Sequence, residues 1–194
     1  AAVLSVLPKE LVNLTEEAET AEIGKDILIF EQTQRMSVMV TTDSVCDLPE
    51  SLRKEFGISV CPYYVCTDKG RFLDEVELKA DELLLYMLEG KECRSEAPRV
   101  EDYERFFAKK LTEAQNVIHI TMAKHTSQGY YNALEAAKSF ENVTVLDSGH
   151  LSSSLGLIVL YAASMAEQHA TKTEIVNVVK ELKRYISSAF IINS

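Results

Sequence analysis

Three clusters of small hydroxyl and carboxylate residues each follow a short apolar run. Thr41-Thr42-Asp43-Ser44 follows Val38-Met39-Val40, Thr121 with His125, Thr126 and Ser127 follows Val117 to Ile120, and Asp147-Ser148 follows Val143 to Leu146. Hydroxyls and the free amides of a helix start hold an oxyanion without a full positive charge, so a carboxylate is the ligand these residue types suit best. No Gly-rich phosphate loop accompanies them, which disfavours a nucleotide. Ser, His and Asp are also the components of a nucleophilic triad, so a Ser-dependent hydrolase of acyl esters is the rival class. The chain has no Gly-x-Ser-x-Gly elbow to expose such a nucleophile, and hydrolysis stays second. Each cluster also has a plainer use. Ser127 is an ordinary helix N-cap residue, a lone loop His such as His125 is more often structural than functional, and Asp43 is expected to fix its loop rather than act as a base.

These groups meet only if the apolar runs are parallel strands, because ligands of such folds sit at the carboxyl edge of the sheet. The alternation supports this from Ser37 onward. A strand over Val38–Thr42 leads to a helix with Leu48, Leu52 and Phe56 on one face, stopped by Gly57. Residues 58–66 read as a second strand, and Asp68-Lys69-Gly70 turns back through Arg71-Phe72-Leu73. A helix over Asp81–Glu89 stops at Gly90, and Lys91 to Arg99 reads as a loop. The next helix turns Tyr103, Phe106, Phe107 and Leu111 inward. After strand 117–120 comes a helix from about Ser127 to Phe140, then strand 143–146. The helix from Leu151 to about Gln168 is apolar nearly all round, so it is expected to be sandwiched, with Gly156 admitting another backbone. Thr171 and Glu174 form a capping box for a last helix, and Ala189 to Ile192 begins a strand. Residues 1–36 read differently: a helical repeat over Leu11, Leu14, Ala18 and Ala21, a strand over Asp26–Phe30, and an extension or linker of no assigned role.

The chain of 194 residues, 46% hydrophobic and 26% charged, is globular in composition. Its formal net charge of -10 argues against nucleic acid and against an anionic membrane surface. Cys46, Cys61, Cys66 and Cys93 match no zinc or redox spacing, so reduced thiols in a cytoplasmic protein without metal or cofactor are expected.

Taken in order, the motifs resemble the DegV family. Thr42-Asp43-Ser44-Val45-Cys46-Asp47-Leu48-Pro49 resembles the family's opening Thr-Asp-Ser and Asp-Leu-Pro, and Val60-Cys61-Pro62, Lys69-Gly70 and Leu73-Asp74 resemble its strand and hairpin. Ser95-Glu96-Ala97-Pro98 resembles its Thr-Ser-Gln-Pro loop, and Ser127-Gln128-Gly129-Tyr130 its Ser-Gly-Thr-Tyr. Asp147-Ser148, Ser152 and Gly156 resemble its Asp-Ser and Ser-x-Gly-x-Gly. The resemblance implies an α/β lobe over 37–170, with a mostly parallel sheet flanked by helices. Residues 171–194 would begin a second lobe that is largely absent from the sequence and that supplies a Gly-Gly-Arg segment and a late His in the family. It also implies a carrier, not an enzyme: a long-chain fatty acid is held by hydroxyls and presented to a fatty-acid kinase. Ser95 and Ser127 would hold the carboxylate, with Thr42, Asp43, Ser44 and His125 around them. Glu96 departs from the family pattern and would repel a carboxylate, so it is expected to face solvent. A half-walled tunnel implies exposed apolar surface and self-association. The third reading is a regulatory or interaction module attached through residues 1–36.

Overall fold

The computed structural model describes residues 36–189, so the helix and strand expected within 1–35, and all but the first residue of the strand expected over Ala189–Ile192, lie outside the described residues. Val38, Val40, Ile118, Ile120 and Leu146 point to one face of a sheet, and Val117 and Val143 to the other, all buried. Strands covered on both faces are what a parallel sheet demands. Its strands are β1 (Met36–Asp43), β2 (Ser59–Cys61), β6 (Ala114–Thr121) and β7 (Val143–Asp147), in the order β2-β1-β6-β7 and all parallel. The expected mostly parallel α/β sheet is therefore present. On one face lie α1 (Glu50–Glu55), α5 (Ser152–Glu167) and α6 (Lys172–Tyr185), whose Leu155, Ile158, Val159, Ile175 and Val179 join the first core. On the other lie α3 (Val100–Glu113) and α4 (Gly129–Ala137), which bring Tyr103, Phe107, Ala133 and Ala136.

Two strand assignments need correction. Residues 58–66 are not one strand but two, because β2 ends at Cys61 and β3 (Tyr64–Thr67) begins a separate antiparallel sheet, where it lies between β4 (Gly70–Leu73) and β5 (Arg94–Glu96). Pro62 has no N–H for a ladder, and the Tyr63 backbone leaves it too: its N–H donates to Ser44 Oγ at 3.1 Å and its carbonyl accepts from Asp74 N at 2.9 Å. The second correction falls on 91–99, where β5 (Arg94–Glu96) pairs with β3 opposite the hairpin partner β4 (Gly70–Leu73). Arg71 reinforces that sheet, its guanidinium 3.4 Å from the Tyr64 ring centroid and 2.8 Å from Glu96. Glu96 is thus paired with Arg71 and flanked by Arg94 and Arg99 at 3.9 Å, so it is half-buried among cations rather than turned wholly to solvent.

The helix over 152–167 is only half sandwiched. Leu155, Ile158, Val159, Ala162 and Ala163 are buried, while Leu157 and Tyr161 face outward. The helix α2 (Ala80–Leu88) shows Leu84, Leu85, Met87 and Leu88 at the surface. Gly156 does admit another backbone. A β-carbon there would sit 2.6 Å from the Cys46 carbonyl oxygen and 3.1 Å from Leu48 Cδ2. We expect Gly156→Ala to lower stability by about 1–3 kcal/mol through overpacking, read as a lower urea midpoint; an unchanged midpoint would mean the turn after β1 yields freely. The Thr171–Glu174 capping box forms as expected, with Glu174 N donating to Thr171 Oγ1 at 3.3 Å and Thr171 N to Glu174 Oε2 at 2.8 Å. Among the described residues no helix is long and apolar enough to cross a membrane, and Cys46 and Cys61 are buried free thiols.

Candidate functional site

The parallel sheet brings the three polar clusters to one edge. At the end of β1, Asp43 is fully buried and accepts three hydrogen bonds. Tyr103 OH from α3 donates to Oδ1 at 2.9 Å, His119 Nε2 lies 3.2 Å from the same oxygen, and Met122 N donates to Oδ2 at 3.0 Å. His119 stands beside Thr41 in register on the next strand, and their Nδ1 and Oγ1 are 2.9 Å apart. A carboxylate only accepts, so a neutral His119 carries its proton on Nε2 and accepts a hydrogen bond from the Thr41 hydroxyl on Nδ1. The rings of Tyr103, Phe106 and Phe107 close over the imidazole edge-to-face at 5.3, 6.0 and 5.3 Å. Asp43, His119 and Thr41 have the order of a hydrolase triad, but all three are fully buried.

The break at Pro62 places Tyr63 on this edge. Its hydroxyl is 2.7 Å from Ser127 Oγ, which also accepts from Gly129 N at 3.0 Å at the start of α4. Burial first, and then the Asp43 charge, push the phenols of Tyr63 and Tyr103 well above the usual range, so both keep their protons. The sheet edge is therefore a file of polar groups: Thr41, His119, Asp43, Tyr103, Tyr63 and Ser127.

The third cluster is tied down separately. Asp147 Oδ1 accepts from Lys124 N at 3.1 Å and Gly149 N at 2.9 Å, and Lys183 Nζ of α6 lies 3.3 Å from Oδ2. His150 bonds Ser188 Oγ through Nδ1 at 3.0 Å and the Lys183 carbonyl through Nε2 at 3.2 Å. Burial alone would raise the Asp147 pKa, but the two amides and Lys183 outweigh it and hold it below the usual range. A depressed folded-state pKa gives stability that is present above the unfolded value and lost as pH falls through the folded one. Wild type should therefore lose stability more steeply below about pH 4 than Asp147→Asn, followed by thermal melts; parallel curves would remove Asp147 from acid unfolding.

A family model described as "Uncharacterised protein, DegV family" matches residues 37–194. The chain belongs to the DegV family. A DegV domain-containing protein of Caldanaerobacter subterraneus is 32% identical over 146 residues, which are 74% of this chain and 52% of that protein. A DegV protein of Thermus thermophilus, described by its fatty-acid binding, superposes with a TM-score of 0.71 at 29% identity, over 77% of this chain and 54% of that one. The Streptococcus pneumoniae Fatty Acid Kinase B3 protein loaded with linoleic acid shares the fold at 20% identity, with a TM-score of 0.64 over 77% of this chain and 55% of that one. The chain thus spans about half the length of the DegV proteins it matches.

Within this DegV lobe the expected site residues are placed unevenly. Ser127 is half-buried at the start of α4, and Ser44 meets it indirectly, since the Ser44 hydroxyl holds the Tyr63 backbone and the Tyr63 phenol holds Ser127. Thr42 is buried and spends its hydroxyl on the Ile120 carbonyl at 2.7 Å. Asp43 lies behind Tyr103 and Tyr63. Ser95 is exposed on the second sheet, opposite Val65, and the loop after it is tied to α4 by Asn132 Nδ2 donating to the Pro98 carbonyl at 2.7 Å. His125 is exposed, without a hydrogen bond among the described residues. Reading the sequence alone placed Thr41 in the first hydroxyl cluster but missed Tyr63, Tyr103 and His119 as site-forming polar groups. One signal was available: a His inside the apolar run 117–120 is a buried polar group that needs partners.

Proposed function

We propose that the chain binds a long-chain fatty acid at the carboxyl edge of β1 and β6 and presents it to a fatty-acid kinase. In this reading the hydroxyls of Ser127 and Ser95 hold the carboxylate, His125 adds a donor from the Ser127 loop, and Thr42, Asp43 and Ser44 fix the edge from behind. The observation that carries it is the similarity to the Thermus fatty-acid-binding DegV protein over the part that contains this edge. The kinase enters from the description of the Streptococcus neighbour, which is a likeness of fold. The buried position of Asp43, His119 and Thr41 supports a carrier over the hydrolase alternative.

Calorimetric titration with linoleate, beside a panel of acyl esters, tests this. Saturable linoleate binding and no ester turnover above buffer are expected. Ester hydrolysis lost in Asp43→Asn would overturn the carrier reading. For the kinase step, adding a bacterial fatty-acid kinase and ATP to the loaded protein should yield acyl phosphate, and none without the chain.

A further inference from the structure

The hydroxyl of Ser127 has two lone pairs and one proton; its surroundings fill one lone pair and offer one further hydrogen-bond partner. Gly129 N donates to Oγ at 3.0 Å. The Tyr63 hydroxyl, at 2.7 Å, shares one hydrogen bond with Oγ, and two protons compete for that bond. The proton of Tyr103 is committed to Asp43. Tyr103 lies beside Tyr63, and both phenol oxygens occupy the place a Gly129 side chain would take. A β-carbon on Gly129 would sit 3.1 Å from the Tyr103 hydroxyl and closer still to that of Tyr63, tighter than real side chains tolerate.

Only two arrangements satisfy these atoms. Ser127 donates to Tyr63, whose own proton then turns toward the neighbouring Tyr103 oxygen, so that the protons run toward Asp43. Alternatively Tyr63 donates to Ser127, both Ser127 lone pairs are filled, and the Ser127 proton points away from the protein. An acceptor arriving at Ser127 selects the second arrangement.

We propose that Tyr63 is a positioning residue of the ligand site: it turns Ser127 into an outward hydrogen-bond donor, so the site takes an acceptor-only headgroup, a carboxylate. This rests on the carrier function proposed above. Gly129 is part of the device, because its missing side chain leaves the space that the phenol occupies. Asp43 anchors the far end through Tyr103, and the raised proton affinity of both phenols keeps them donors near neutral pH. A phenol filling one lone pair also polarises the Ser127 O–H, which strengthens its bond to an anion.

The test is a double-mutant cycle with linoleate as the probe, each protein first checked for an intact cooperative melt. Tyr63→Phe keeps the ring and removes one hydroxyl, and should weaken linoleate binding about three- to tenfold, the size of one hydrogen bond. In a Ser127→Ala background the same change should do nothing, because the group that Tyr63 positions is gone. An equal loss in both backgrounds would show that Tyr63 acts through the fold and would overturn the inference, as would unchanged affinity in Tyr63→Phe. Gly129→Ala, which pushes the phenol away, should match Tyr63→Phe and add nothing to it; a full additional loss counts against the device. Failure of wild type to bind linoleate at all would overturn the carrier reading itself, an outcome distinct from those above.

Discussion

Asp43→Asn should lower the free energy of unfolding by roughly 2–4 kcal/mol, because a buried carboxylate with committed donors is strongly destabilised when one side stops accepting. The argument is geometric. Oδ1 faces Tyr103 OH and His119 Nε2, and Oδ2 faces Met122 N. An Asn side chain has one accepting oxygen and one NH2, so either orientation sets an N–H against a donor. Tyr103→Phe removes one of these bonds without creating a clash and should cost less, about 1–2 kcal/mol. Urea unfolding followed by circular dichroism gives both values. A wild-type midpoint in Asp43→Asn would mean that the edge of the sheet is held by something other than this carboxylate.

Ser127→Ala should weaken linoleate binding about 10- to 100-fold, the equivalent of one hydrogen bond to a charged group, while the melt stays close to wild type. Ser127 is half-buried at the start of α4, and among the described residues its oxygen accepts from the Gly129 amide and shares one hydrogen bond with the Tyr63 hydroxyl. Losing it strands a phenol that still has Tyr103 as a neighbour, so the folded state loses little. In the proposed complex the bound state loses the donor that Ser127 turns to the carboxylate. Calorimetry beside a thermal melt separates the two effects. A folded Ser127→Ala protein that binds as tightly as wild type would place the headgroup elsewhere on the edge.

The parallel sheet was legible because its strands are continuous apolar runs, 38–40, 117–120 and 143–146, each followed by a helix start. Gly156 and the Thr171–Glu174 pair were legible for similar reasons: both express local backbone geometry. What stayed hidden depends on partners far away in sequence. The strand β5 exists because of its ladder to β3, about thirty residues earlier, and nothing local in Arg94-Ser95-Glu96 marks it. Pro62 was visible, but not that the chain changes sheets there and so carries Tyr63 to the site. The partners Asp43 and His119 are 76 residues apart. They meet only once β1 and β6 lie in register, which no periodicity reveals. Likewise Leu84, Leu85, Met87 and Leu88 announce an apolar helix, whereas their outward direction required the fold.

The central claim, that this edge holds a fatty-acid carboxylate, is tested most directly by mass spectrometry of lipid extracted from wild type and Ser127→Ala, purified side by side without detergent. The account predicts near-stoichiometric long-chain fatty acid with wild type and a several-fold lower content with Ser127→Ala. Wild type free of fatty acid that also takes up none when incubated with linoleate would contradict it.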